Sequence, residues 1–155
     1  MMARLILMAW MLVYAVPNYA FTCYATLIKD SCWLPYEVTI HIIDVQQRQE
    51  MTSVKADKGQ SWARVKFDCE PGLKMLYKAE YKPVFWQSEV GRSYFAKNYW
   101  SLPMTVDKDT SAWEVQIFYP RNFSEIPFPP DAVGNCKYNL QAIPVIPKAK
   151  AIQQK

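Results

Sequence analysis

The chain has four glycines and one histidine among its 155 residues. Glycine this scarce excludes loops that cradle phosphate, because those bring the backbone to the ligand through glycines at fixed spacing and no such run occurs. The single histidine, His41, lies inside an alternation of apolar and polar residues rather than beside a nucleophile. No Gly-x-Ser-x-Gly turn is present, so the strained elbow that exposes a catalytic serine is missing. Neither a Cys-x-x-Cys pair nor a histidine cluster offers zinc-ligand spacing. No metal, no cofactor and no enzymatic activity are therefore expected. Glu80 with Glu89 or Glu114 could form the carboxylate pair of a glycosidase, but nothing in the sequence brings two of them to working separation. Excess charge of one sign is also lacking: 18 basic against 14 acidic side chains give +4. That is a solubility charge, not a nucleic-acid footprint.

Long hydrophobic runs are absent too. The longest begins at Leu5 and ends at Val13, far short of the roughly 20 residues a helix needs to cross a bilayer. Arg4 precedes this run, and Pro17 and the small Ala20 follow it. A basic start, a short apolar core and a small-residue exit make a secretory signal peptide, residues 1–20, cleaved near Ala20. The mature chain is then periplasmic or secreted, with no membrane span. Phe21 is too bulky for the small-residue site that lipidation at Cys23 would need.

What is present follows from that address. Cys23, Cys32, Cys69 and Cys136 all lie beyond Ala20. An even count in an exported chain predicts two disulfides, and four cysteines allow three connectivities. Long-range pairs are favoured, since a strand between Cys23 and Cys32 would otherwise have to fold back on itself.

The remainder alternates with a period of two, the signature of half-buried strands. Val38, Ile40 and Ile42 oppose Thr39 and His41. Ala63, Val65 and Phe67 oppose Arg64, Lys66 and Asp68. Leu73, Met75, Tyr77, Ala79 and Tyr81 oppose Lys74, Lys78, Glu80 and Lys82, and Trp113, Val115, Ile117 and Tyr119 alternate with Glu114 and Gln116. Shorter strands are expected at residues 22–28, 51–54, 84–87, 93–98 and 137–143. Turn residues separate them at Lys29-Asp30-Ser31, Asp57-Lys58-Gly59, Glu70-Pro71-Gly72, Asp107-Lys108-Asp109 and Gly134-Asn135. The fold class is all-β: one antiparallel β-sandwich of immunoglobulin-like architecture, with seven to nine short strands and two disulfides. It occupies residues 21–147, with 148–155 a disordered basic tail.

Aromatic residues are the compositional excess. Trp113 is in phase with Val115 and Ile117 and belongs to the core. Trp62 shares the charged side of its strand with Arg64 and Lys66, while Trp86 and the stretch from Tyr94 to Trp100 flank loop signals. Trp62, Trp86, Tyr94, Tyr99 and Trp100 form the candidate binding patch, because an exposed ring buries much apolar area at little entropic cost.

The opening Phe21-Thr22-Cys23-Tyr24-Ala25-Thr26-Leu27-Ile28-Lys29-Asp30-Ser31-Cys32-Trp33 resembles the start of a group of small exported proteins of gamma-proteobacterial intracellular pathogens. Gly59-Gln60-Ser61-Trp62, Pro83-Val84-Phe85-Trp86 and Tyr99-Trp100-Ser101-Leu102-Pro103 resemble the same group. The resemblance covers most of the chain beyond Ala20 and implies a small periplasmic or secreted β-domain. It implies no activity and carries over no functional residue. The expectation is a non-catalytic exported sandwich that binds a protein or cell-envelope partner, directed at a host or retained. The alternative is a carbohydrate-binding module using Trp86 and the aromatics from Tyr94 to Trp100.

Overall fold

The computed structural model describes residues 21–147 and 149–152; the expected signal segment 1–20, Lys148 and residues 153–155 lie outside the described residues. Each alternating run becomes a strand, β2 (Glu37–Asp44), β4 (Trp62–Cys69), β5 (Lys74–Lys82) and β8 (Ala112–Tyr119), and the shorter strands expected at 22–28 and 51–54 extend to β1 (Phe21–Lys29) and β3 (Gln49–Ala56). Three short strands complete the set: β6 (Tyr94–Phe95), β7 (Trp100–Ser101) and β9 (Ala149–Ile152). They form two sheets, one ordered β4-β1-β8-β9 and the other β3-β2-β5, with β6 and β7 both pairing β5. The inward pleats of both sheets meet in one core, including Leu27, Ile40, Tyr77, Val115 and Ile117. At its centre Trp33 lies edge-on to Tyr81 and to Tyr119, each at 4.9 Å. The domain is all-β, in two sheets, as the alternation implies, with two disulfides, as the even cysteine count implies.

Several expectations need correction. The first sheet is mixed rather than antiparallel, since β8 runs parallel to both β1 and β9. Alternation identifies which side of a strand is buried; it carries no information about strand direction. Residues 84–87 are not a strand: Pro83 has no N–H to continue the ladder, and a 3-10 turn follows at Gln87–Glu89. Residues 137–143 provide only an isolated bridge, Asp30 to Tyr138, and a 3-10 turn at Leu140–Ala142. The stretch 93–98 shrinks to β6. Within the tail expected to be disordered, Ala149–Ile152 form β9 against Ala112–Val115. Backbone pairing is indifferent to the lysine and alanine side chains that concealed it.

The disulfides are long-range. Cys23–Cys69 joins neighbouring strands β1 and β4 inside the core, and Cys32–Cys136 fastens the C-terminal region to the turn after β1. From Cys136 the chain crosses the outer side of the first sheet. Lys137 and Ser31 exchange two hydrogen bonds through Lys137 O and Ser31 Oγ, the Tyr138 ring packs edge-on to Phe118 at 5.2 Å, and Pro144 O accepts from Arg64 Nη2 at 2.8 Å. This strap owes its position to the disulfide and a few polar contacts rather than to the core. Replacing Cys32 and Cys136 together with serine should cost about 2–4 kcal/mol. Limited proteolysis should then cut within residues 137–147 while the two sheets stay resistant; equal resistance of strap and sheets would refute this.

One buried cation links the two sheets' loops. Lys29 is almost wholly enclosed, and its ammonium donates to Tyr36 O at 2.6 Å and Asp57 O at 2.9 Å. Burial lowers its pKa from 10.5 to about 8, against the opposing pull of Asp57 and Glu37. Between those values the unfolded chain holds more protons than the folded one, so stability rises with pH across that window. Above about pH 10 the sign reverses. Burial raises the phenols of Tyr77 and Tyr119 well above 10 and those of Tyr81 and Tyr138 to about 12, so the unfolded chain loses its protons first. Urea melts should therefore show a stability maximum between about pH 9 and 10. Lys29→Met should abolish the rise from pH 8; a rise of unchanged slope in that variant would exclude Lys29 as its source.

Candidate binding groove

The outer side of the first sheet is built from alternate residues of three strands. Trp62, Arg64 and Lys66 of β4 stand opposite Ile28, Thr26 and Tyr24 of β1, and Tyr24 in turn opposes Glu114 of β8. Arg64 is fixed on almost every side. Its Nε donates to Thr26 Oγ1 at 2.8 Å, and its Nη2 donates to Glu114 Oε1 and to Pro144 O, each at 2.8 Å. Thr26 Oγ1 donates onward to the same Glu114 oxygen at 2.6 Å. The guanidinium also lies over the Trp62 indole, 5.4 Å from the ring centroid, a cation–π contact that orients the ring.

Beside this cluster runs an open groove of about 810 Å³. Tyr24, Trp62, Arg64 and Lys66 line it from the sheet, together with Lys55 and with Asp57, Gly59, Gln60 and Ser61 of the turn before β4. Gly59 adopts φ +84°, the left-handed conformation that makes this turn tight. Lys55 is spent on Asp57 at 2.9 Å and Glu37 at 3.4 Å. Arg64 is spent on Glu114. Lys66 has no ion pair among the described residues. Further along β4 a second hollow, about 440 Å³, shares Lys66 but is lined by Asp44, Glu50 and Asp68.

Of the residues expected to form one patch, Trp62 lines the groove. Trp86 and Tyr99 are 52% and 51% exposed, but Tyr94 and Trp100 are 3% and 1% exposed and belong to the core. The reason is pleat parity. Tyr94 pairs Ala79 and Trp100 pairs Met75, both inward residues of β5, so their rings turn inward. Their neighbours Phe95 and Tyr99 turn outward instead, beside Lys78 and Lys74 respectively. Phe95, which lies within the aromatic stretch from Tyr94 to Trp100, is 51% exposed by the same parity.

The remaining chemistry is dispersed. His41 lies on the outer side of the second sheet, bonded to Glu50 at 2.9 Å and near Glu80 at 3.9 Å. Glu80 accepts from Ser93 there, Glu114 lies across the sandwich, and Glu89 is buried against Arg92 at 3.3 Å. Asp30, Cys32 and Cys136 come within 4.8 Å of one another, but the two sulfurs are bonded together and one carboxylate alone remains. Among the described residues no helix is long and apolar enough to cross a membrane.

Core and surface rings separate by mutation. Trp100→Ala should cost about 3–5 kcal/mol in chemical denaturation, the range for emptying a buried aromatic site. Tyr99→Ala, one residue away, should stay within about 0.5 kcal/mol. Comparable losses from both would overturn the parity assignment. Comparison with known proteins leaves this site to be read from its own chemistry: no protein-family model matches the chain, nor does any curated protein or solved structure.

Proposed function

We propose that this chain is an exported, non-catalytic binding domain that engages a protein or cell-envelope partner through the Trp62 groove. One observation carries the reading. An indole and an arginine line the groove in fixed positions, the guanidinium lying over the ring and bonded to Thr26 and Glu114, and the unpaired Lys66 lines it beside them. Side chains locked by supporting contacts before a ligand arrives lose little entropy on binding. The absence of histidine from the groove, and the distance of His41 on the other sheet, support a binding rather than a catalytic role. The signal-like start and two disulfides support export. Burial of Tyr94 and Trp100 argues against a sugar platform made from the 94–100 stretch.

The test uses purified protein and isolated cell envelopes. Binding should be saturable, and Trp62→Ala should weaken it about tenfold or more, the size of a typical aromatic anchor. Replacing Phe95 and Tyr99 together with serine should leave it unchanged. Loss only in the Phe95 and Tyr99 variant would move the site to the other sheet, and absence of saturable binding would overturn the proposal.

A further inference from the structure

We infer that the groove's ligand is an acidic saccharide, a pyranose unit bearing one carboxylate, seated against Trp62 with its carboxylate on Lys66. The inference rests on the binding role proposed for this groove and specifies its chemistry. Three properties of the lining point the same way.

The first is the mixture of a flat ring with polar edges. Arg64 lies over the Trp62 indole, and Trp62 and the half-buried Tyr24 both line the groove. An aromatic wall packs on the apolar C–H side of a sugar while its hydroxyls stay free for hydrogen bonds. The groove's volume lies within the ordinary range for small-ligand sites.

The second is an excess of donors. Gln60 Oε1 is occupied by the Asp57 N–H at 2.9 Å, which turns the Gln60 amide nitrogen loose as a donor. The Ser61 hydroxyl and the Lys66 ammonium have no hydrogen-bond partner among the described residues, and Arg64 keeps its Nη1 after Nε and Nη2 are used. A ligand rich in oxygen acceptors suits this set of donors.

The third is the charge. Lys55 and Arg64 are neutralised by Asp57 and Glu114, so Lys66 is the one lining cation without a counter-charge among the described residues. Beyond Lys66 the chain presents Asp44, Glu50 and Asp68. A single carboxylate is attracted to Lys66, whereas a polyanion running along β4 would meet those acids and be repelled. The site thus discriminates against nucleic acid and densely sulfated chains as well as against neutral sugars.

Isothermal calorimetry with four defined probes tests this. A disaccharide of one hexuronic acid and one neutral sugar and a sialylated trisaccharide each supply a single carboxylate, and the carboxyl-reduced disaccharide and lactose lack it. At least one acidic probe should bind about tenfold more tightly than its neutral counterpart. Lys66→Gln should erase that preference while leaving weak neutral binding in place, and Trp62→Ala should weaken both; circular dichroism and thermal midpoints check that each variant is folded. Equal binding of acidic and neutral probes, or no binding of either acid, would overturn the inference. If envelopes still bind in a Trp62-dependent way when no acid sugar does, the ligand class is wrong and the groove is not. If Trp62→Ala leaves envelope binding intact, the groove itself is wrong.

Discussion

The ion pair between Arg64 and Glu114 is where this fold and its surface are joined. It bonds an edge strand, β4, to a strand two places away in the same sheet, with Thr26 of β1 bridging between them. Pro144 O closes the cluster from above, so the C-terminal strap and the sheet share one guanidinium. A shielded ion pair is seldom a net source of stability, because desolvating both charges costs about what their attraction returns. Its consequence is geometric. With Nε and Nη2 committed, the guanidinium holds a single orientation, and the indole above it is oriented in turn.

That constraint makes the two outer sides of the sandwich unlike. On the first sheet, Ile28 and Thr26 are wholly buried although they point away from the core. Arg64, which bonds Thr26, is itself held by Pro144 O of the strap, and Tyr138 of the strap packs on Phe118 beside Ile28. What the strap leaves uncovered, Tyr24, Trp62 and Lys66, becomes the floor and wall of the groove. On the second sheet no strap intervenes among the described residues. His41, Lys78 and Glu80 lie partly open, with Phe95 and Tyr99 beside them at the edge. The disulfide at Cys32 and Cys136 therefore shapes the surface as much as it stabilises the chain, since it decides where the strap begins.

The parts of this structure that were legible in the sequence are those that depend on neighbours along one strand. The buried sides of β2, β4, β5 and β8 follow from their alternation, and Trp62 stood out because an aromatic ring on a charged side breaks the pattern. What was not legible depends on neighbours in space. Tyr94 and Trp100 look like loop aromatics until β5 supplies the register that turns them inward. Arg64 has no visible partner until the parallel pairing of β1 with β8 brings Glu114 beside it, 50 residues away in sequence. The strand β9 is hidden for the same reason: its hydrogen bonds are backbone bonds, and its side chains advertise solvent.

An abundance of aromatic residues is therefore a poor guide to a binding surface in a domain like this one. Trp33, Trp100 and Trp113 are each nearly fully buried and serve the core, where two thin sheets with few glycines must be kept apart by large side chains. Trp62 differs from them less in exposure than in company. Its neighbours are an arginine, a lysine and a tyrosine, whereas the core tryptophans are surrounded by other rings and aliphatic groups. An exposed ring alone, such as Trp86 on its loop, offers area without orientation. A ring clamped by a cation that is itself clamped by an anion offers both, and recognition of a small ligand depends on orientation as well as on area.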